Sequence, residues 1–454
     1  MKHMSLKEIA VACGGVYYGS EEAYHQEVTG VAIDSRKVEP GFLFVAVRGA
    51  RVDGHVFIPQ VMEKGALCAI SEKRIEGASY PYILVNSSLQ ALKDLAEHYR
   101  KSLNIKVVGI TGSVGKTSTK EMIASVLSQK YKVLKTEGNF NNEIGLPLTV
   151  FNIREEHQIA VLEMGISHFG DMEPLAKIAR PDICVISNIG LAHIEALKSR
   201  DGILKEKTDM FRFITPNGTI ILNGDDDKLS TVTQYKQIKP IFFGLNDQLE
   251  VYADHIQSLG LKGTACQVHL EGRTLDLTIP IPGPHMVYNA LAGVCVGAAL
   301  GLSDKEICQG VANLVPISGR NNLIEKHGLT ILDDCYNANP VSMKASLEVL
   351  TCANTRKVAI LGDMFELGEE ERSLHREVGE FAAQKGIDLI ISIGELSKAI
   401  HEGAISVPDF KGTALHFDSK DAFFAEMGDI IKENDTILVK ASHGMEFPEI
   451  IERL

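Results

Sequence analysis

The sequence predicts an α/β protein of three domains. Its 454 residues are about three times the length of an average domain. From residue 104 onward, short apolar, β-branched stretches alternate with helical ones, which is typical of a mostly parallel sheet covered by helices. This alternation is interrupted at residues 316–319, and before residue 104 short apolar runs are separated by Gly and Pro instead. We therefore place the domains at 1–103, 104–315 and 316–454.

Composition and charge narrow the classes to which this chain can belong. The net charge is −13, and an acidic chain is a poor general binder of nucleic acid or of anionic membranes. The longest nearly apolar run, 290–302, is shorter than the about 20 residues of a membrane-spanning helix, and the first residues lack the apolar core of a signal peptide. We expect a cytoplasmic monomer with no nucleic-acid partner and no membrane insertion. Eight cysteines without a C-x-x-C pair predict buried free thiols.

The first domain is predicted to be built from short elements. Strands are expected at 43–47 and 82–85, because apolar runs there are bounded by turn residues. A helix is expected at 89–103. Residues 101–104 then form the expected linker to the second domain.

The second domain is predicted to contain the longest series of strand–helix units. A β-branched strand at 105–111 precedes a glycine turn and a helix at 116–129. A long Ala-rich helix is expected at 285–300. The remaining expected strands are 159–163, 183–187 and 219–223, followed by a small antiparallel set at 251–257, 264–271 and 274–279.

The third domain is predicted to be a second, Rossmann-like α/β unit. Leu374, Val378, Phe381 and Ala382 recur at helical spacing, so they predict the buried face of a packed helix. The strands expected around that helix are 329–333, 357–361, 389–393 and 436–440.

The strongest functional signal is the segment 109–118, G-I-T-G-S-V-G-K-T-S, between a predicted strand and a predicted helix. Glycines let backbone N–H groups approach phosphate, and the helix N-terminus adds the positive end of its dipole. Lys116 can reach the β- and γ-phosphates, while the Thr117 hydroxyl can bind Mg²⁺. Because Ile110 stands where G-x-x-x-x-G-K-[ST] requires Gly, the loop reads T-G-x-x-G-K-T. The context still favours a nucleotide site over an incidental lysine in a tight turn.

Further candidates follow from their positions along the chain. Glu163 ends a predicted strand, and a carboxylate at the carboxyl end of a parallel strand points into the ligand crevice, so a Mg²⁺ ligand is favoured over a surface cap. His193 lies beyond the end of the next strand, where a site role and a structural role both stay open. Lys205 and Lys207 lie on a predicted helix and are by themselves typical of solvated lysines.

Together these motifs resemble the Mur ligase family, whose members form amide bonds at the expense of ATP in bacterial cell-wall precursor synthesis. The resemblance spans the whole chain, and it is sharpest for the branch that adds D-alanyl-D-alanine. Its motifs are 138–147, G-N-F-N-N-E-I-G-L-P; 333–340, D-D-C-Y-N-A-N-P; and 361–368, L-G-D-M-F-E-L-G, with His375 downstream. In the first domain, D-S-R at 34–36, P-G at 40–41 and D-G-H at 53–55 resemble the uridine-nucleotide-binding domain of the family.

The resemblance implies a P-loop ATPase-like second domain and an ATP site shared with the third. In the family, the segment around Asn289 contacts adenine and Arg320 reaches the phosphates. The residues assigned to ATP are Gly112, Ser113, Val114, Gly115, Lys116, Thr117, Ser118, Asn289, Arg320, Asp334, Tyr336 and Asn337.

The resemblance also implies Mg²⁺ and a modified lysine. Lys207 corresponds to the lysine that the family carbamylates, and a carbamate is a carboxylate-like metal ligand. Lys205 remains an alternative, since both fit the K-x-K spacing and the family usually has Ala where Leu204 and Glu206 stand. The implied catalytic residues are Lys116, Glu163, His193 and Lys207, and the implied metal ligands are Thr117, Glu163, His193 and Lys207.

The implied substrates are UDP-N-acetylmuramoyl-tripeptide and D-alanyl-D-alanine, joined through an acyl phosphate with release of ADP and phosphate. His443 stands where the family commonly has Arg, so its role stays open. The residues implied to bind the UDP substrate are Ser35, Arg36, Asn141 and Asn142.

Three alternatives differ from this interpretation in sequence features. The ligase that adds the third stem-peptide residue usually has D-Y-A-H-T-P where this chain has D-C-Y-N-A-N-P at 334–340. Folylpolyglutamate synthetase lacks a nucleotide-sugar domain such as residues 1–100. A GTPase switch needs a guanine-reading N-K-x-D element, which this sequence does not contain.

Overall fold

The computed structural model describes residues 4–49 and 52–454. Three sheets, of five, nine and six strands, follow one another along the chain. This agrees with the predicted three-part α/β fold. Within the described residues, no helix is long and apolar enough to cross a bilayer.

The N-terminal sheet has the strand order β1-β5-β4-β3-β2, parallel except for β1. Both predicted strands are confirmed, one as β3 and the other as β5. The strands are β1 (Val16–Tyr18), β2 (Gly30–Ala32), β3 (Phe42–Val45), β4 (Cys68–Ser71) and β5 (Tyr82–Leu84). The helices are α1 (Leu6–Ala12), α2 (Glu21–Tyr24), α3 (Ile58–Glu63) and α4 (Ser88–Ser102).

Helix α4 connects the first two parts of the molecule. It begins where the Ser87 side chain accepts the Gln90 N–H, and it continues through Ser102, so the first half of the predicted linker 101–104 is helical. The buried Tyr99 hydroxyl donates to the Ile153 carbonyl at 2.7 Å, and Arg100 Nε donates to the Ala179 carbonyl at 3.0 Å. The helix therefore packs against the central part, and the apolar core is continuous across the junction.

The central sheet has the order β14-β13-β12-β11-β10-β9-β6-β8-β7. All predicted strands of this part are confirmed, whereas β7 and β11 were not predicted. The small antiparallel set is part of the main sheet, because its first strand, β12, pairs with β11. The strands are β6 (Lys106–Thr111), β7 (Val133–Lys135), β8 (Ile159–Glu163), β9 (Ile183–Ile186), β10 (Thr219–Asn223), β11 (Ile241–Gly244), β12 (Val251–Ser258), β13 (Thr264–Leu270) and β14 (Arg273–Ile279). The helices are α5 (Lys116–Leu127), α6 (Gly145–Phe151), α7 (Met172–Ala179), α8 (Ile194–Leu197), α9 (Arg200–Thr208), α10 (His285–Ala299) and α11 (Asp304–Ala312).

The C-terminal sheet has the order β15-β16-β20-β17-β18-β19, parallel apart from the β15–β16 pair. The four predicted strands are confirmed, and the predicted apolar helix is α13. The strands are β15 (Asn322–Lys326), β16 (Leu329–Asp333), β17 (Lys357–Gly362), β18 (Leu389–Ile393), β19 (Thr413–Phe417) and β20 (Thr436–Lys440). The helices are α12 (Pro340–Thr351), α13 (Glu371–Gln384), α14 (Lys398–Ser406), α15 (Lys420–Ile430) and α16 (Pro448–Arg453).

The carboxyl ends of the parallel strands position the candidate site. In the central part, the glycine loop follows β6 and Glu163 ends β8. In the C-terminal part, Asp334 follows β16 and Lys440 ends β20. Ligands of open α/β sheets bind at this edge.

The cysteines are free thiols, as predicted. Cys13, Cys308 and Cys352 are only half-buried, so the expectation that all are buried is wrong for these positions.

Candidate functional site

The glycine loop between β6 and α5 is closed tightly against β9. A side chain on Gly112 would have its Cβ 2.0 Å from the Ser187 hydroxyl, and Gly115 has a φ of +77° that favours glycine. The Lys116 ammonium donates to the Gly112 carbonyl at 2.9 Å, so this lysine folds back over its own loop. The cation thus lies where phosphates would meet the N-terminus of α5.

Burial lowers the pKa of Lys116, while the nearby Glu163 carboxylate acts in the opposite direction. A phosphate group would add further negative charge beside this half-buried cation. The electrostatics of the loop therefore favour an anionic ligand.

Glu163, Thr117 and Asn141 form a buried polar cluster beside Lys116. The Thr117 hydroxyl donates to Glu163 Oε2 at 3.0 Å, and Asn141 Nδ2 donates to Glu163 Oε1 at 2.8 Å. Glu163 is 1% exposed. Oxygen ligands in this position suit Mg²⁺, which prefers carboxylate and hydroxyl oxygens near a phosphate. Glu163 lies beside the glycine loop, as its position at the end of the strand predicted, and Asn141 orients its carboxylate.

A cleft of about 510 Å³ separates the central and C-terminal parts. Its walls contain Asn141 and all of the predicted ATP residues except Gly112. Those residues are Ser113, Val114, Gly115, Lys116, Thr117, Ser118, Asn289, Arg320, Asp334, Tyr336 and Asn337.

The wall formed by α10 carries buried polar side chains. Asn289 is 6% exposed, and its Oδ1 accepts the Thr119 hydroxyl at 2.8 Å, so it is not a helix-surface amide. His285 and Asn321 also line the cleft, with 3.0 Å between His285 Nε2 and Asn321 Nδ2. His285 Nδ1 and Asn321 Oδ1 are buried without a hydrogen-bond partner, so they are available to a polar ligand.

The opposite wall is formed by the segment that follows β16. The Arg320 guanidinium lies 4.1 Å from the centre of the Tyr336 ring. Lys440, which was not predicted, is 2% exposed and lies 2.5 Å from Asp334 Oδ2. It also donates to the Asn337 carbonyl at 3.1 Å, so it fixes the turn between two predicted site residues.

Helix α9 places the two candidate lysines in different environments. Lys207 is 2% exposed, and its amine donates to the Gly112 carbonyl at 3.0 Å, whereas Lys205 lies on the exposed face of the helix. The Glu206 carboxylate is directed towards α7, where it accepts the backbone N–H groups of Gly170 and Met172. Burial and the neighbouring Lys116 lower the pKa of Lys207 well below its ordinary value, which favours the neutral amine.

His193 lies between the central and C-terminal parts. Its Nδ1 is 3.1 Å from Glu366 Oε2 of the C-terminal part. Burial lowers the pKa of His193, the nearby Glu366 carboxylate raises it, and the positive charge of Lys116 lowers it further. Across residues 4–49 and 52–454, no three His, Cys, Asp or Glu side chains converge as a metal site.

Of the residues predicted to bind the UDP substrate, Asn141 lines the cleft, whereas Ser35, Arg36 and Asn142 lie outside its lining. Arg36 is paired with its neighbour Asp34, with 2.7 Å between Nη2 and Oδ2. Lys64 donates to the Ser35 carbonyl at 3.0 Å. The Asn142 side chain accepts the Gly145 N–H at 2.8 Å, which stabilises the start of α6.

Two loops that carry these residues face each other. Lys37, which follows Arg36, has its ammonium 6.0 Å from the centre of the Phe140 ring, which precedes Asn141. The N-terminal part thus approaches the central part on the side of Glu163. His443 is exposed, and its ring lies 5.4 Å from that of Tyr336.

The fold and the cleft define a class of protein. A phosphate-binding loop on one α/β part faces a second α/β part across a nucleotide-sized cleft, and a third part approaches from the N-terminal side. This is the arrangement of a nucleotide-dependent enzyme that closes around its substrates.

Family models match each third of the chain. They are the Mur ligase family catalytic domain at 27–100, the Mur ligase middle domain at 110–297 and the Mur ligase glutamate ligase domain at 319–443. A UDP-N-acetylmuramoyl-tripeptide–D-alanyl-D-alanine ligase of Bacillus subtilis is 37% identical over 95% of this chain and 94% of its own length. The chain belongs to the Mur ligase family.

Solved structures agree with this assignment. A MurF structure from Acinetobacter baumannii is similar with a TM-score of 0.90 and 32% identity, over 99% of this chain and 98% of that one. A MurF ligase from Thermotoga maritima in complex with ADP is similar with a TM-score of 0.82 and 30% identity, over 93% and 96% of the two chains.

Proposed function

We propose that this protein joins D-alanyl-D-alanine to UDP-N-acetylmuramoyl-tripeptide, converting ATP to ADP and phosphate during peptidoglycan precursor synthesis. The observation that carries the proposal is the single cleft in which Lys116 faces Arg320 and the Asp334–Asn337 turn. The names of the similar proteins supply the substrates. The segment 334–340, D-C-Y-N-A-N-P, favours this reaction over addition of the third stem-peptide residue.

The reaction needs activation of a carboxylate, because oxide is too poor a leaving group for direct amide formation. The tripeptide carboxylate attacks the γ-phosphorus of ATP, the bond to ADP breaks, and an acyl phosphate forms. The dipeptide amine then attacks the acyl carbon, phosphate leaves, and the amine loses a proton. Positioning and charge stabilisation are the main contributions of the protein to such a transfer.

The residues of the phosphate loop supply most of this stabilisation. Backbone N–H groups at the start of α5 and the Lys116 ammonium face the phosphates. Arg320 approaches from the C-terminal wall, where stacking on Tyr336 holds its guanidinium in place. Lys116 and Arg320 thus supply positive charge from opposite sides of the phosphoryl group that is transferred.

Mg²⁺ would be held by Thr117 and Glu163, with Asn141 orienting the carboxylate. When bound there, the ion neutralises phosphate charge. Asn141 is assigned to the UDP substrate as well, because its loop faces the N-terminal part. Ser35, Arg36 and Asn142 complete that proposed set.

Lys207 is the lysine that we propose to be carbamylated. Its buried amine is favoured in the neutral form, which is the form that attacks CO₂ to make an N–C bond with loss of a proton. The carbamate would join Glu163 and His193 as a ligand of a second Mg²⁺. Lys207→Ala should lose ligation, and a short carboxylic acid should restore part of it. Full activity of the variant without rescue would contradict the carbamate.

We further propose that the enzyme acts as a cytoplasmic monomer. The two walls of the cleft belong to the same chain, and the reaction consumes ATP and a UDP-linked precursor. Sedimentation of the protein with a nonhydrolysable ATP analogue should give the mass of one chain, and an obligate dimer would contradict the proposal.

The proposed reaction is tested by phosphate release from ATP with UDP-N-acetylmuramoyl-tripeptide, with and without D-alanyl-D-alanine. Release that requires both, with the corresponding gain in product mass, is expected. Release that ignores the dipeptide but responds to a free diamino acid with UDP-N-acetylmuramoyl-dipeptide would identify the preceding ligase instead.

A further inference from the structure

We propose that Glu366 is a positioning residue that orients the ring of His193 across the boundary between the central and C-terminal parts. The proposal rests on the proposed function, since it concerns the residue assigned there to the second Mg²⁺. Glu366 belongs to none of the predicted sets of site residues. Its assignment comes from its contact with His193.

The contact joins two residues with unusual backbone conformations. Glu366 Oε2 lies 3.1 Å from His193 Nδ1, and the side chains are 69% and 30% exposed. Both residues have left-handed backbones, with φ of +63° at Glu366 and +61° at His193. Non-glycine residues adopt this conformation at a cost, and such strain concentrates at functional sites.

The Glu366 side of the contact is fixed firmly to the C-terminal sheet. In the loop that follows β17, the Met364 N–H donates to His375 Nε2 at 2.8 Å, and the Phe365 N–H donates to the Ser442 hydroxyl at 2.9 Å. His375 is fully buried, and the Glu371 carbonyl lies 2.6 Å from its Nδ1. The backbone beside Glu366 is therefore anchored to the C-terminal part, and the exposed Glu366 side chain reaches from there to His193.

The His193 side of the contact is tied to the phosphate loop. Asn188, near the end of β9, donates to the Val114 carbonyl at 2.8 Å, and its Oδ1 accepts the Val114 N–H at 2.9 Å. His193 follows five residues later, at the start of α8. His193 thus lies on the segment that begins beside the phosphate loop, and its ring contacts Glu366 of the C-terminal loop.

The chemistry of the contact defines what Glu366 does. A carboxylate near Nδ1 favours the tautomer with a proton on Nδ1, which leaves the lone pair on Nε2 for a metal. Because the carboxylate and the imidazole belong to different parts of the molecule, this orientation exists only while the C-terminal part lies against the central part. Closure of the cleft and completion of the metal-ligand set are thereby coupled.

The first test is nitrogen-15 NMR of the histidine rings in the metal-free full chain, above the ordinary histidine pKa of about 6.5. His193→Ala identifies the His193 signals. Glu366→Ala should remove the preference for Nδ1–H at His193, and Glu366→Gln should retain part of it because its amide oxygen still accepts a hydrogen bond. Glu369→Ala, which removes an exposed carboxylate of the same loop, is the matched control.

The second test is Mn²⁺ binding by electron paramagnetic resonance with a nonhydrolysable ATP analogue. Glu366→Ala should weaken the second Mn²⁺ about 10-fold, as loss of a partner behind a metal ligand does, while Glu369→Ala should not. Unchanged tautomer signals would overturn the proposal. A loss of Mn²⁺ without a tautomer change would also overturn it, because Glu366 would then be a ligand itself. Product formation by the wild-type enzyme tests the ligase function separately.

Discussion

Lys116 is the residue on which the proposed phosphate chemistry depends most. Its ammonium is half-buried in the glycine loop and donates to the Gly112 carbonyl. Lys116→Ala should lower the rate of ligation about 100- to 1,000-fold, the usual effect of removing one stabilising group from a transition state. Thermal unfolding should be little changed, since the side chain is only half-buried and its hydrogen bond lies within its own loop. Near-normal turnover would contradict the assignment of the loop.

Asn141 and its neighbour Asn142 have separable roles. Asn141→Ala removes the hydrogen bond to Glu163 and should raise the Mg²⁺ concentration for half-maximal activity about 10-fold. Asn142→Ala should instead cost about 1 kcal/mol of unfolding free energy, because it loses the capping bonds at the start of α6. A Mg²⁺ titration and urea unfolding of both variants measure these effects. Equal Mg²⁺ dependence of the two variants would contradict the proposed role of Asn141.

Lys207 should make stability depend on pH. Its pKa is lowered in the folded protein, whereas an unfolded lysine has a pKa of about 10.4. Between those values the unfolded state binds more protons, so the free energy of unfolding rises with pH. In bicarbonate-free buffer, the advantage of Lys207→Met over the wild type should therefore shrink as the pH is raised towards 10.4.

Urea unfolding across that pH range measures the effect. Lys205→Met is the matched control, because this lysine lies on the exposed face of the same helix. A difference between Lys207→Met and the wild type that does not vary with pH would show that the buried amine is protonated in the folded state.

At the scale of elements, α4 determines how the N-terminal part is held. Tyr99→Phe leaves the buried Ile153 carbonyl without the hydroxyl that it accepts at 2.7 Å. Because Arg154 Nη1 still donates to that carbonyl at 3.2 Å, we expect a loss of about 0.5–1.5 kcal/mol in the free energy of unfolding. Tyr17→Phe, which removes an exposed hydrogen bond to the Ser20 carbonyl, should cost less because water replaces it. Equal losses in urea unfolding would mean that α4 contributes little to this junction.

Burial explains which elements the sequence predicted. Strands β8 and β9 are buried along their whole length, so they are continuous apolar runs. Strands β15 and β19 lie at the edges of the C-terminal sheet and are partly exposed. Polar residues therefore interrupt the apolar run that would indicate a strand. The three residues of β7 are too few to show a period.

The site was predictable where its chemistry lies in one segment. The glycine loop carries its own signature, and so do the strand that ends at Glu163 and the segment around Asn337. Lys440 and Glu366 were not predicted, because their roles depend on contacts with residues distant in sequence: 106 residues separate Lys440 from Asp334.

At the scale of the whole molecule, the central and C-terminal parts place their candidate site residues around one cleft, and the N-terminal part approaches the central part where Lys37 lies near Phe140. Helix α4 holds the N-terminal part to the central sheet, and the cleft separates the central and C-terminal parts. The contact between His193 and Glu366 crosses from the central to the C-terminal part beside the phosphate loop. Transfer of the γ-phosphoryl group to the substrate carboxylate in this cleft is therefore the central claim for the reaction.

Transfer of oxygen-18 tests the proposed chemistry most directly. UDP-N-acetylmuramoyl-tripeptide with oxygen-18 in its terminal carboxylate is incubated with ATP, Mg²⁺ and D-alanyl-D-alanine, and the released phosphate is analysed by mass spectrometry. If the carboxylate attacks the γ-phosphorus, each phosphate released from fully labelled substrate carries one labelled oxygen. Phosphate without the label would contradict an acyl phosphate formed in this cleft.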